Sequence, residues 1–187
     1  MWWRMAIPPR IRHTQAGDGQ RVKKDSGKLY WYGLNGEVLT KTDLSGNNPN
    51  EYVFFGGQQV ALRQSDGTVY YYFKDHLGTN RGLVVAGQTS PCYDADFYPY
   101  GGERAVLSNC VPVQKLVDAE RDSESGLDHM LFRQYSSNLA RWLSPDPVAG
   151  DVGDPQSPNR YHYVLNNPTN LTDPLGLYDS PLGPISP

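Results

Sequence analysis

Cysteine is scarce in this chain. Its 187 residues include only Cys92 and Cys110, and no C-x-x-C pair. A zinc ribbon and a dithiol redox motif are therefore excluded. One pair of cysteines does not define a disulfide scaffold, and although the two could pair, we expect free thiols. The histidines are scattered without the spacing of metal ligands, so we predict neither a metal site nor a cofactor; they are His13, His76, His129 and His162.

Basic charge and long apolar runs are also lacking. The formal net charge is -3, and no basic stretch stands out, so we predict no nucleic-acid partner. The apolar start, Met1 to Ile7, is too short for the core of a signal peptide. No apolar run approaches the length of a membrane span. The sequence has no G-x-S-x-G, P-loop or G-x-G-x-x-G motif, which leaves the common hydrolase and nucleotide-binding signatures without support.

Tyrosine and glycine are abundant: 13 Tyr stand against 5 Phe, and there are 19 Gly. Eight glycines are spaced 8 to 11 residues apart, with short Tyr-, Val- and Leu-rich runs between them; they are Gly19, Gly27, Gly36, Gly46, Gly56, Gly67, Gly78 and Gly87. This spacing is typical of short strands joined by tight turns. We predict successive antiparallel strands over residues 28–104, with type I′ hairpin turns at Asn35-Gly36 and Asp66-Gly67.

Bulky residues alternate after the second of these turns. Val69, Tyr71 and Phe73 are predicted to face one side of a strand, and Tyr70 and Tyr72 the other. Two interpretations follow, a sheet with one wet tyrosine face or a curved shell with a lined interior. Periodicity alone does not separate them.

A Y-x-x-D-x-x-G pattern follows at Tyr72, Asp75 and Gly78. The surrounding Y-Y-F-K-D-H-L-G-T-N-R resembles the Y-x-x-D-H-L-G-S/T-x-R segment of the RHS-repeat family, also called the YD-repeat family. One such pattern is weak, but further segments resemble the family in its own order, and together they cover about Gly17 to Leu177. These segments are E-Y-V-F-F-G-G-Q-Q-V-A-L-R, D-F-Y-P-Y-G-G-E-R, E-R-D-S-E-S-G-L-D, R-W-L-S-P-D-P, N-N-P and D-P-L-G-L.

The resemblance divides the chain into four parts. Residues 1–16 resemble no repeat, residues 17–110 resemble YD-repeat hairpins, residues 111–177 resemble the RHS-associated core, and residues 178–187 are a Pro-rich tail. The core departs from the family at Gln114–Ala119, where F/Y-T-G-K is usual, and at Ala140, where glycine is usual. We therefore expect an all-β fold, in which consecutive antiparallel hairpins form a strip of β-shell and the core forms its plug.

The resemblance implies a structural role in a bacterial polymorphic-toxin or cell-surface system. In larger relatives the strip winds into a hollow shell, the core closes one end, and a variable C-terminal toxin lies inside. The implied partners are the remaining shell and that toxin, and the implied location is secreted or at the cell surface. Ten residues follow Leu177, too few for a toxin, so we interpret the chain as a truncated copy. Carbohydrate binding is a weaker third function, which would need a contiguous exposed patch of aromatic residues.

The alternative function is self-cleavage by an aspartyl protease. The resemblance implies a catalytic set of Arg133, Asp146 and Asp173, with the cut after D-P-L-G-L, between Leu177 and Tyr178. Two neighbouring carboxylates can share one proton and activate a water molecule. In the competing structural interpretation, both aspartates cap turns and Arg133 makes a buried salt bridge.

Two other groups of polar residues are interpreted as structural. Asp75-His76 is expected to belong to a turn. Four acidic residues crowd around Arg121 and are expected to form a solvated hairpin end near Ser125-Gly126; they are Glu120, Asp122, Glu124 and Asp128.

Overall fold

The fold is all-β, as the sequence predicts. The computed structural model describes residues 13–17, 19–148, 158–177 and 180–181. Within these ranges the only helical segments are two 3₁₀ turns, Leu116–Asp118 and Val164–Asn166. No helix in the described part is long and apolar enough to cross a membrane.

Ten strands form one antiparallel sheet in the order of the sequence. Each strand pairs with the next, so the prediction of successive strands over residues 28–104 is confirmed. The first strand lies within residues 1–16, so the sheet begins before the repeat-like sequence does. The strands are β1 (His13–Gln15), β2 (Arg21–Lys24), β3 (Lys28–Tyr32), β4 (Val38–Thr42), β5 (Asn50–Phe55), β6 (Gln58–Arg63), β7 (Val69–Lys74), β8 (Asn80–Val85), β9 (Tyr93–Phe97) and β10 (Glu103–Ser108).

The two predicted turns are present, but the type I′ prediction is wrong. A type I′ turn needs a positive φ at both central residues. Only the glycines have one, with φ of 82° at Gly36 and 87° at Gly67. The Gly36 N–H donates to Gly33 O at 3.2 Å, and the Gly67 N–H to Gln64 O at 2.9 Å. Each glycine is therefore the third residue of a three-residue loop, which needs a positive φ at that one position.

The two faces of the sheet differ in exposure. On β7, Tyr72 is buried, whereas Tyr71 and Phe73 are exposed at 48% and 57%. This is the alternation that the sequence predicts. The buried face is covered by the part of the chain that follows the sheet, from Val111 onward, which we call the second half. The Tyr72 hydroxyl, for example, donates to Gln114 Oε1 at 3.4 Å.

The expectation of free thiols is wrong. Cys92 and Cys110 form a disulfide across 18 residues of sequence. Cys92 directly precedes β9 and Cys110 closely follows β10, so the pairing of these strands brings the two side chains together at the open end of the hairpin. Counting cysteines does not reveal this, because the hairpin register is what sets the distance.

The second half of the chain forms a compact group of short strands around its own apolar core. Seven residues make this core: Leu116, Ala119, Met130, Tyr135, Trp142, Tyr163 and Val164. The ring centroids of Tyr135 and Tyr163 lie 4.6 Å apart, and those of Tyr135 and Trp142 5.3 Å apart. The strands are β11 (Glu120–Arg121), β12 (Asp128–His129), β13 (Gln134–Ser136) and β14 (Arg141–Trp142) in one sheet, and β15 (Leu171–Thr172) and β16 (Ser180–Pro181) in another.

Candidate functional site

Arg133 lies at the end of the turn that joins β12 to β13. Its carbonyl accepts a hydrogen bond from the Met130 N–H at 3.1 Å, which holds the turn. The side chain points into the second half of the chain and is 5% exposed. Its guanidinium carbon lies 4.2 Å from the ring centroid of Trp142, within the range of a cation–π contact.

Both predicted aspartates reach the same nitrogen of Arg133. Nη2 lies 2.8 Å from Asp146 Oδ2 and 3.1 Å from Asp173 Oδ2. The Asp173 side chain is 1% exposed, whereas that of Asp146 retains 20% exposure. The three residues chosen from the sequence therefore form one cluster, although 40 residues separate Arg133 from Asp173.

Asp173 also shapes the D-P-L-G-L loop. Its Oδ1 accepts hydrogen bonds from the N–H groups of Gly176 and Leu177, at 2.8 and 3.0 Å. Arg133 Nε donates to the Gly176 carbonyl at 2.5 Å. The peptide that joins Gly176 to Leu177 is thus held by the arginine at its oxygen and by the aspartate at its nitrogen.

Arg160 supports Asp146 from the other side. Its carbonyl accepts the Asp146 N–H at 2.8 Å, and its Nε donates to the Asp146 carbonyl at 2.7 Å. The same Arg160 carbonyl accepts a 3.4 Å hydrogen bond from Arg133 Nη1. Sequence reasoning missed Arg160, because N-R-Y-H-Y carries no signal that separates it from a surface arginine.

This geometry is compatible with both interpretations of the cluster. Asp173 caps a loop, and Asp146 Oδ1 accepts the Val148 N–H at 2.8 Å, as turn-capping residues do. Two carboxylates beside one guanidinium, next to the predicted cut, also suit hydrolysis. Leu177 is described and lies against Asp173, whereas Tyr178 lies outside the described residues.

Of the four acidic residues around Arg121, Glu124 is exposed as expected, but the other three do not belong to a solvated hairpin end. Asp122 is 1% exposed and Asp128 is fully buried. Asp122 accepts two hydrogen bonds from Arg21 on β2, at 2.8 and 2.9 Å, and Glu120 accepts one from Lys41 on β4 at 2.8 Å. The expectation failed because the cations that pair with these carboxylates lie about 80 to 100 residues upstream, on the buried face of the sheet.

These contacts form an ionic seam between the sheet and the second half of the chain. We define the seam as Arg21, Lys24, Lys41, Glu120 and Asp122. Burial raises the pKa of the Asp122 carboxyl, but the hydrogen bonds from Arg21 and Lys24 outweigh it, so that pKa lies below its ordinary value. The pKa of Glu120 is lowered in the same way, as Lys41 and Arg21 outweigh burial.

A cavity of about 690 Å³ opens beside the seam. Lys24, Lys41 and Glu120 line it together with Tyr30 and Tyr52. Lys41 Nζ lies 5.1 and 5.0 Å from the ring centroids of these two tyrosines, so its charge is enclosed by aromatic faces as well as paired with Glu120. No group of acidic, histidine or cysteine side chains within the described ranges is arranged to hold a metal ion.

Several known proteins match this chain over part or most of its length. The toxin subunit YenC2 of Yersinia entomophaga is 37% identical over 108 residues, which are 55% of this chain and 11% of YenC2. The tRNA nuclease WapA of Bacillus subtilis (strain 168) is 29% identical over 170 residues, 84% of this chain and 7% of WapA. The probable deoxyribonuclease RhsB of Dickeya dadantii (strain 3937) is 42% identical over 65 residues, 35% of this chain and 4% of RhsB. The chain is thus similar to Tc toxin subunits and to RHS-type toxins. No family model matches it.

Solved structures share the fold of this chain. A Photorhabdus luminescens Tc holotoxin pore structure that carries the TccC3 mutation D651A superposes with a TM-score of 0.68 at 20% identity. The superposition covers 94% of this chain and 9% of that one. The chain therefore spans about a tenth or less of the length of each of these four proteins.

Proposed function

We propose that this chain is the closing segment of an encapsulating shell, in which the ten-stranded sheet is wall and the second half of the chain is plug. The ionic seam is the observation that carries the proposal. It fixes the second half on one face of the sheet and leaves the opposite face, with Tyr71 and Phe73, exposed. A plug held only by apolar contacts could slide, whereas hydrogen-bonded ion pairs set one register.

The names of the relatives support a carrier rather than an enzyme with one substrate. Proteins named as a toxin subunit, a tRNA nuclease and a deoxyribonuclease share this segment, which is at most 11% of each. A segment common to proteins of different activity suits a shared housing. By this reasoning the partners are further RHS repeats and a toxin, and the location is secreted or at the cell surface. Truncation of this copy stays a prediction.

A cargo-protection assay tests the carrier proposal. The segment of YenC2 that matches this chain is replaced by this chain, a reporter enzyme is joined after it, and the protease resistance of the reporter is measured. We expect the reporter to resist digestion until the shell is denatured. The matched control carries Asp122→Ala, which opens the seam, and should lose protection. A reporter that is digested equally fast in both fusion proteins would overturn the proposal.

Self-cleavage is the second candidate, and the pairing of Asp146 and Asp173 on one guanidinium favours it. In this scheme Asp146, the more exposed carboxylate, takes a proton from a water molecule, whose oxygen attacks the Leu177 carbonyl carbon. The other carboxyl, in its protonated form, gives its proton to the leaving nitrogen of Tyr178. The products are a Leu177 carboxylic acid, which passes its proton to the free Tyr178 amine, and an aspartate pair in which Asp146 now holds the proton that Asp173 has lost. Arg133 orients both aspartates.

Mass spectrometry of freshly expressed protein tests this second function. We expect a fragment that ends at Leu177 in the wild type and an intact chain in Asp146→Asn and Asp173→Asn, which keep the shape but remove a carboxylate. Arg133→Ala should slow or abolish the cut. Asp66→Asn, at an exposed turn, is the matched control and should cleave normally. A wild-type mass that persists through Pro187 for days would leave the turn-capping interpretation.

A further inference from the structure

The Cys92–Cys110 disulfide lies where the chain leaves the sheet for the second half. Cys92 N donates to Leu83 O at 2.8 Å, which continues the pairing of β8 and β9. Cys92 O accepts hydrogen bonds from the N–H groups of Asn109 and Cys110, at 2.9 and 3.1 Å. The cross-link therefore closes the open end of the last hairpin, one residue before the connection that begins at Val111.

The strand that this cross-link holds lies at an edge of the sheet. β10 pairs with β9, and within the described residues it has no neighbour on its other side. Arg104, Ala105 and Val106 in its middle are exposed. Such an edge strand depends on one ladder of hydrogen bonds and on whatever ties its ends.

The other end of β10 is tied by charge. Glu103 accepts a hydrogen bond from Lys115 Nζ at 2.8 Å and another from the Tyr93 hydroxyl at 2.8 Å. Lys115 belongs to the connection that leads into the second half. Residues 103–115 are thus fastened by an ion pair at one end of β10 and by the disulfide at the other.

The disulfide lies near the surface. Both cysteines are partly exposed, while Pro91, Asn109 and Val111 beside them are exposed. One side of the cross-link packs against the apolar core of the sheet. Accessible disulfides of this kind react with thiols, whereas fully buried ones resist.

We propose that the Cys92–Cys110 pair is a thiol–disulfide exchange site that latches the last hairpin of the sheet to the start of the second half, and that small-molecule thiols open it. A thiolate attacks one sulfur, forms a mixed disulfide and releases the other cysteine as a thiolate, which takes a proton from water. A second thiol displaces the first cysteine. Two thiols become one disulfide, and the protein gains two cysteine thiols.

The latch is expected to be closed as a disulfide outside cells and open as two thiols in the cytosol. Disulfides persist in secreted and cell-surface proteins and are reduced in the cytosol. For a carrier, the junction of wall and plug would stay fastened outside cells and loosen among cytosolic thiols; this last step rests on the proposed carrier function. The exchange site itself rests only on the position of the two cysteines.

Hydrogen–deuterium exchange with mass spectrometry tests the proposal on the full chain. Oxidised protein is compared with protein treated with millimolar reduced glutathione without denaturant, and thiol alkylation reports the extent of reduction. We expect complete reduction and at least tenfold faster exchange in residues 103–113, with β5 to β7 unchanged. Cys92→Ser/Cys110→Ser should resemble the reduced protein, and reoxidation of the wild type should restore slow exchange.

Three results would overturn the latch. The disulfide could resist glutathione while the chain is folded. Exchange in residues 103–113 could stay the same after reduction. The whole sheet could loosen together, which would make the cross-link a general staple. Because no readout involves a cargo or a cut, a failure here is distinguishable from a failure of the carrier proposal.

Discussion

Arg21 and Asp122 form a two-pronged ion pair across 101 residues of sequence. Nη1 lies 2.8 Å from Oδ1 and Nη2 lies 2.9 Å from Oδ2, and both side chains are 1% exposed. Lys24 adds a third hydrogen bond to the same carboxylate at 2.9 Å. Planar, two-pronged pairing of arginine with a carboxylate fixes direction as well as distance. This contact therefore sets how the second half of the chain registers on β2.

Asp122→Ala should strongly destabilise the protein. The substitution leaves Arg21 and Lys24 buried without this partner, and breaking a buried ion pair costs about 3–5 kcal/mol. The free energy of unfolding, measured in urea, checks this. Asp66→Ala is the matched control, because Asp66 accepts the Thr68 N–H at an exposed turn, and its loss should be much smaller. Equal losses at the two positions would contradict a buried seam.

The seam should make stability depend on pH in the acid range. The pKa values of Asp122 and Glu120 are lowered in the folded chain, so in the unfolded chain these groups bind protons at higher pH. Their contribution is full well above the ordinary carboxyl pKa of about 4 and is lost as the pH falls through the lowered values. Burial instead raises the pKa of Asp128 despite its pairing with Arg121, so protonation of that group favours the folded chain.

The free energy of unfolding in urea, measured from neutral pH to about pH 3, separates the contribution of the seam from that of Asp128. Wild type and Asp122→Asn share Asp128, so the difference between their two curves reports the contribution of Asp122. We expect the wild type to lose more stability than the variant as the pH falls. If the stability of both proteins fell in parallel with pH, Asp122 would have the same pKa in the folded and the unfolded chain.

The sequence predicted the parts of this structure that local chemistry determines. Glycine spacing found the strands, and motif order found Arg133, Asp146 and Asp173, which the fold brings together. Apart from the turn type, the errors concern long-range contacts. Nothing near Asp122 in the sequence indicates Arg21, and nothing near Cys92 indicates that the next hairpin ends at Cys110. Both depend on how elements pack, which local patterns do not encode.

The edge of β10 should promote self-association of the isolated chain. Its outer backbone groups have no strand partner within the described residues, and Val106 is 66% exposed on it. Unpaired edges recruit other strands, and a lysine placed on them discourages this. We expect concentration-dependent dimers or aggregates in analytical ultracentrifugation, reduced by Val106→Lys. Phe73→Lys, on the exposed face away from that edge, is the control. A sharp wild-type monomer at all concentrations would contradict the expectation.

Gly176 should be harder to replace than Gly126, although both have a positive φ. Its φ is +79°, and a Cβ there would lie 3.2 Å from both the backbone N and the Cβ of Arg133 and 3.3 Å from Trp142 Cη2. Gly176→Ala therefore adds crowding against the arginine to the cost of a left-handed backbone, which alone is about 1–2 kcal/mol.

Gly126→Ala separates these two costs. Gly126 has a φ of +69°, and a Cβ at this position would meet nothing within 4 Å, so its substitution carries the backbone cost alone. We expect Gly176→Ala to lower the free energy of unfolding clearly further. If the chain cleaves itself, Gly176→Ala should also slow the cut by shifting the loop away from Arg133, while Gly126→Ala should cleave normally. Equal effects of the two substitutions on both stability and cleavage would show that the close packing of the loop against Arg133 is not needed.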